Sequence, residues 1–186
     1  IWFWQEFCAD MQNHKPDIFM FGEWIFSHPM SDRSVEFAND SGMTMLDFGL
    51  CIAIREALAE KVEAGFYEIQ NIFDLDHRYT RANELVTFID NHDMSRFSSV
   101  NPNPELLRMA IALIMTCRGI PCIYYGTEQY LHNDTDSGND PYNRPMMEKW
   151  DTDSQLYREI RLLSGLRRLN PAVSLGGQWQ RYITPD

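Results

Sequence analysis

Positive charge is scarce in this sequence: 16 lysines and arginines stand against 27 aspartates and glutamates, a formal net charge of −11 over 186 residues. Nucleic acids and anionic membrane surfaces are held by basic patches, so the balance argues against both and favours neutral ligands. Long apolar runs are missing too. The longest, Met109 to Cys117, is closed by Arg108 and Arg118 and falls well short of the roughly 20 residues a bilayer requires. The four cysteines, Cys8, Cys51, Cys117 and Cys122, form no Cys-x-x-Cys pair, and the five histidines show no metal-ligand spacing. Buried free thiols are therefore expected, rather than a zinc site or a disulfide framework. The opening Ile1-Trp2-Phe3-Trp4 lacks the charged region and cleavage site of a signal peptide and reads as the interior of a longer chain. No sequence repeat is evident.

What is present is a globular composition, 44% hydrophobic and 13% aromatic, long enough to bury one core. The most informative stretch is Leu-Val-Thr-Phe-Ile-Asp-Asn-His-Asp-Met-Ser-Arg-Phe, residues 85–97. It opens as a β-prone run, apolar but for Thr87, and turns at once into Asp90, Asn91, His92 and Asp93. A run apolar on both faces suits a parallel strand covered on each side. Ionisable residues just past such a strand sit where parallel α/β proteins carry their chemistry. An Asx-turn needs only Asp90 or Asn91 and leaves His92 and Asp93 unexplained.

Elsewhere, periodicity predicts a helix over 2–13 and a short buried strand over 18–21 that runs straight into Gly22-Glu23-Trp24. Residues 27–41 read as a loop with at most a turn of helix at 35–38, and 43–48 as a strand containing Asp47. Helices are expected over 51–62 and 67–75, then a polar loop over 76–83 before the 85–89 strand. A helix over 105–117, opened by Pro104, leads into a fourth strand within 119–126. A polar loop over 126–145, a helix over 154–169 and a tail at 173–186 that opens a small β element complete the chain. Strands alternating with helices imply right-handed βαβ units and a parallel sheet.

With those residues in view, the chain resembles the α-amylase family of glycoside hydrolases (family thirteen), and within it the cyclodextrin glucanotransferases. Three blocks carry the likeness: Phe21-Gly22-Glu23-Trp24, Phe88-Ile89-Asp90-Asn91-His92-Asp93, and Gly119-Ile120-Pro121-Cys122-Ile123-Tyr124-Tyr125-Gly126-Thr127-Glu128-Gln129. The resemblance implies a TIM-type (β/α)8 barrel, of which residues 1–186 would be the second half, strands five to eight with their helices, leading towards an all-β domain. The family's nucleophilic aspartate ends the fourth strand and would lie outside this half.

By resemblance Glu23 is the general acid/base, a role that calls for a carboxyl still protonated near neutrality, expected here through the apolar flanks Phe21 and Trp24 and through neighbouring carboxylates. Asp93 is the transition-state stabiliser and His92 a sugar-binding partner. The run Asp140-Pro141-Tyr142-Asn143-Arg144 resembles a loop whose aspartate and arginine, here Asp140 and Arg144, bind sugars further along the donor side. Trp24, Phe26, Tyr124 and Tyr125 are candidate stacking platforms, no more than half of which are expected to touch a ligand. Asp47 and Asp90 also stand near strand ends, with no role assigned. Ile25 occupies the place where glucanotransferases usually carry an aromatic residue, a departure that points towards hydrolysis. The implied ligand is an α-1,4-glucan, starch or a maltooligosaccharide, and the implied location extracellular. No cofactor is expected in this chain, and calcium only in a longer parent. Self-association through exposed barrel edges is also expected. The rival reading is a non-catalytic amylase-like binding or partner subunit, against which Glu23, His92 and Asp93 stand together.

Overall fold

The computed structural model describes residues 1–24, 32–60, 65–133 and 141–179. Helix α1 (Trp2–His14) opens the chain. Strand β1 (Phe21–Gly22) and helix α2 (Asp32–Asp40) follow, then β2 (Thr44–Met45) and α3 (Phe48–Ile54), which continues as a wider π turn over Arg55–Glu60. Next come α4 (Gly65–Asp74), β3 (Val86–Thr87), the short α5 (Phe97–Val100) and α6 (Pro104–Thr116). The last elements are β4 (Ile120–Pro121), α7 (Gln155–Leu169) and the four-residue α8 (Ala172–Leu175).

The strands are parallel and stand in chain order. Phe21 pairs with Thr44 and Val86 with Ile120, and a single bridge from Leu46 to Val86 joins the two ladders. The bonds that carry this order run Leu46 N–H to Gly22 O (3.0 Å), Asp47 N–H to Val86 O (2.9 Å) and Cys122 N–H to Thr87 O (2.7 Å). Sequential parallel strands joined by helices are the βαβ pattern read from the sequence.

Residues 85–89 are all at most 3% exposed, as a strand covered on both faces requires. On one side Ile89 joins the main core, built from Leu50, Ile54 and Leu58 with Phe97, Leu107, Ile111, Ile114 and Leu156. Elsewhere Phe88 meets Phe48 edge-on at 5.0 Å and Leu85 packs with Met45 and Ala38. Helix α6 starts as its sequence dictates: the Asn103 side chain accepts from Glu105 N–H at 3.0 Å and Pro104 occupies the first turn.

Several expectations fail for physical reasons. The strand at 18–21 is not buried: Phe19 and Phe21 are about half exposed, because β1 has a strand neighbour on one side only among the described residues. The aromatics of α1 face outward likewise, and that helix is anchored instead by Cys8 against Gly42 and by Gln5 donating to Asp40 O. The 27–41 loop contains the nine-residue α2, whose Ser34, Val35 and Ala38 are buried against the sheet side. The strand predicted over 43–48 ends early because Asp47 turns its carboxylate onto Leu50 N–H and caps α3. The tail begins as helix α8, and its last residues, 180–186, lie outside the described residues. All four cysteines are free and Cys122 is exposed; burial pushes the Cys117 thiol up to about 12. No described helix is long and apolar enough to cross a membrane.

Candidate active site

Each of the first three strands delivers a polar residue to the same rim, the carboxyl end of the sheet. Glu23 follows β1 directly, Asp47 follows β2, and Asp90 to Asp93 follow β3. The structure brings Glu23, His92 and Asp93 together: one ligand-type atom from each lies within 4.8 Å of the other two. His92 Nε2 stands 3.3 Å from Asp93 Oδ1, and Asn91 Nδ2 points to Glu23 Oε1 at 3.5 Å. Arg144 joins them, its Nε donating to the His92 carbonyl at 3.1 Å and a terminal amino group standing 3.5 Å from Asp93 Oδ1.

Of the six predicted site residues, Glu23, Trp24, His92, Asp93 and Arg144 are exposed. The apolar enclosure expected around Glu23 is therefore not formed by Phe21 and Trp24, because Phe21 itself is half exposed and Trp24 stacks on Phe37 at 6.4 Å instead. Those rings help to line an apolar cleft of about 660 Å³ that starts at Glu23 and extends past Phe37 to Trp4 and Phe7. Asp140, Ile25 and Phe26 lie outside the described residues.

Asp47 and Asp90 are set apart by burial. Arg118 forms a salt bridge with Asp47 on one side and a double hydrogen bond with Asp76 (2.9 and 2.8 Å) on the other. Burial opposes the charge on Arg118, and the two carboxylates overcome that opposition, holding the guanidinium protonated beyond its ordinary range. Burial is also the main influence on Asp76, and it raises the carboxyl despite the arginine. Asp90, 3% exposed, accepts from Phe97 N–H and from the Thr127 hydroxyl, both at 3.1 Å. Desolvation raises its pKa, against the pull of those hydrogen bonds and of Arg96 and Arg55. Neither carboxylate has a face free for a sugar.

The Arg96 guanidinium lies over the Tyr124 and Tyr125 rings at 4.0 and 4.5 Å, covering one face of each, and Tyr125 remains 40% exposed. Sequence reasoning passed over Arg96 and Asn143, both wholly buried. The signal was there in their position, an arginine inside the 85–97 stretch and an asparagine beside Arg144. A resident calcium ion does not fit the rim: that ion takes six to eight oxygens, whereas the Glu23, His92 and Asp93 group is small and includes an imidazole. Chemically, the rim offers two exposed carboxyl groups, one of them beside a guanidinium, and donors for hydroxyl groups.

Residues 1–161 match the family model for the alpha amylase catalytic domain. A cyclomaltodextrin glucanotransferase of Geobacillus stearothermophilus is 42% identical over 98% of this chain, and one of Paenibacillus macerans 38% identical over the same share. The chain spans about a quarter of the length of these relatives, 25% of each. Among solved structures, a gamma-CGTase from alkalophilic Bacillus clarkii superposes with a TM-score of 0.90 at 34% identity, covering 98% of this chain and 27% of that one. A cyclomaltodextrin glucanotransferase with a three-domain ABC distribution gives 0.87 at 47% identity, covering 92% and 35%. An α-amylase from Geobacillus thermoleovorans gives 0.76 at 28% identity, covering 93% and 38%.

Proposed function

The chain belongs to the α-amylase catalytic-domain family and carries part of a TIM-barrel-type domain, and on that premise we propose that it supplies the acid/base half of a retaining site for α-1,4-glucans. Its four strands would be the fifth to eighth of the barrel. In this reading Glu23 protonates the departing glycosidic oxygen and then, as carboxylate, takes a proton from the incoming hydroxyl of water or of another sugar. Asp93 and His92 bind the hydroxyls of the ring whose bond is cleaved, and Arg144, with Asp140, holds sugars further along. Trp24 supplies an apolar wall.

The observation that supports this most is the convergence of Glu23, His92 and Asp93 within 4.8 Å at one rim. A retaining mechanism also needs a nucleophile about 5 Å from the acid. Asp93 lies within 4.8 Å of Glu23, but with Arg144 and the His92 ring both on its Oδ1 it is better suited to hold hydroxyls than to attack carbon. In this reading Glu23 is the acid/base and its neighbours are the binding groups, and Asp47 and Asp90, 6% and 3% exposed, are too enclosed to serve as nucleophile. We therefore expect the isolated chain to bind maltooligosaccharides without cleaving them.

The test is calorimetric titration with maltohexaose, alongside release of reducing ends from soluble starch, for the chain and its Glu23→Gln variant. Binding by both without turnover is the expected result. Turnover abolished in Glu23→Gln would confirm the acid/base while showing that a carboxylate within this chain is the nucleophile. No binding by a folded chain would overturn the sugar-site reading.

A further inference from the structure

We propose that Arg96 is a positioning residue for this rim: acting with Asn143 and Tyr125, it locks the 92–96 segment to the 141–145 segment and so decides where His92, Asp93 and Arg144 meet a ligand. The functional half of this inference rests on the sugar-site reading above.

Arg96 is the largest fully buried side chain among the described residues, at 0% exposure. A buried guanidinium is costly unless its charge and its donors are met. Here the described residues give it no direct ion pair. Its Nε donates to the Asn143 carbonyl at 3.1 Å and one terminal amino group to the Tyr125 carbonyl at 2.6 Å, while its plane lies over the Tyr124 and Tyr125 rings. Backbone dipoles and ring faces offset the charge, with the buried Asp90 carboxyl acting on it at longer range, while the second terminal amino group has no hydrogen-bond partner among the described residues. At the near end its own N–H donates to Asn133 Oδ1 at 3.0 Å.

The far end of this arrangement leads back to the rim. Asn143, also 0% exposed, donates from Nδ2 to the His92 carbonyl at 2.6 Å and to the Met94 carbonyl at 3.3 Å. Arg144, the next residue, reaches the same His92 carbonyl. The Tyr125 hydroxyl closes the far side by donating to Pro145 O at 2.8 Å. Arg96, Asn143 and His92 thus form a closed circuit in which every bond crosses between segments and ends on backbone. Such a circuit fixes the relative height of two loops, rather than adding to the core of either. It also requires arginine: lysine keeps the charge but has neither the planar face nor the fork that reaches two carbonyls.

The experiment uses the whole chain in the Glu23→Gln background, with Arg96→Lys, Asn143→Ala and Tyr125→Phe added singly. Maltohexaose affinity is measured by calorimetry, and the His92 ring resonances by NMR without sugar. Losing one or two hydrogen bonds of this kind should weaken binding on the order of tenfold for Arg96→Lys and Asn143→Ala, and about threefold for Tyr125→Phe. All three should displace the His92 resonances. Tyr125→Phe removes one hydroxyl from a partly exposed ring and keeps its stack on Arg96, so it carries the test if the buried variants do not fold. Folded variants with parental affinity and unmoved His92 resonances would overturn the proposal. If Glu23→Gln binds no sugar, the sugar-site reading falls, and the His92 resonances alone decide whether Arg96 positions the rim.

Discussion

Four carboxylates stand at or just beyond the carboxyl ends of β1, β2 and β3, and burial separates those available for chemistry from those that hold the fold. Glu23 and Asp93 are exposed, whereas Asp47 and Asp90 are 6% and 3% exposed, with their oxygens already engaged. Asp90 has a consequence for stability. Its folded-state pKa is raised by burial above the ordinary 3.8, so the folded chain keeps this proton after the unfolded chain has lost it. The corresponding stability is fully present below about pH 4 and is lost as pH rises towards and through the folded pKa. Asp90→Asn has no proton to lose and can still accept one of the two hydrogen bonds. Urea denaturation between about pH 4 and 7 should show the variant gaining on the parent as pH rises; parallel profiles would contradict this account.

Among the elements, β4 depends on the turn that feeds it. Gly119 has φ +93°, and a Cβ there would lie 2.6 Å from both Leu85 O and Thr87 Cγ2, beside the bond from Ile120 N–H to Leu85 O. Gly119→Ala should therefore destabilise by more than about 1 kcal/mol. Gly165, inside α7, has nothing within 4 Å of the same added atom, so Gly165→Ala should stabilise by roughly 0.5 to 1 kcal/mol through helix propensity. The two urea midpoints are predicted to move in opposite directions, and a shift of the same sign in both would refute the assignment. Periodicity placed one glycine ahead of a strand and the other within a helix, but it could not say which of them tolerates a side chain. Backbone angle and clearance are properties of the neighbours, Leu85 and Thr87 in one case and solvent in the other.

For the molecule as a whole, the sheet ends in β1 and β4, each with one strand neighbour among the described residues. Apolar side chains stand exposed at both ends: Trp2, Phe3, Phe7, Phe19 and Phe21 beside β1, and Ile120, Leu162, Leu166 and Leu169 beside β4 and α7. Parallel edges flanked by apolar faces recruit further chain. Light scattering should report self-association of the isolated chain, reduced by Phe19→Lys at the β1 edge. A monodisperse monomer at micromolar concentration would show that the edges are protected.

Residue order by itself determined the alternation of strands and helices, the burial of 85–89, the start of α6 at Pro104, and the candidacy of Glu23, His92, Asp93 and Arg144. Each is written in local periodicity or in a short block of consecutive residues. Tertiary structure alone decided that β1 is half exposed, that 32–40 is helical, that Asp47 and Asp90 are enclosed, and that Tyr124 and Tyr125 serve Arg96. These outcomes depend on contacts between segments far apart in the chain, such as Asp47 with Arg118 and Arg96 with Asn143. Desolvation and hydrogen-bond partnership are set by such contacts, and no local pattern of residues encodes them.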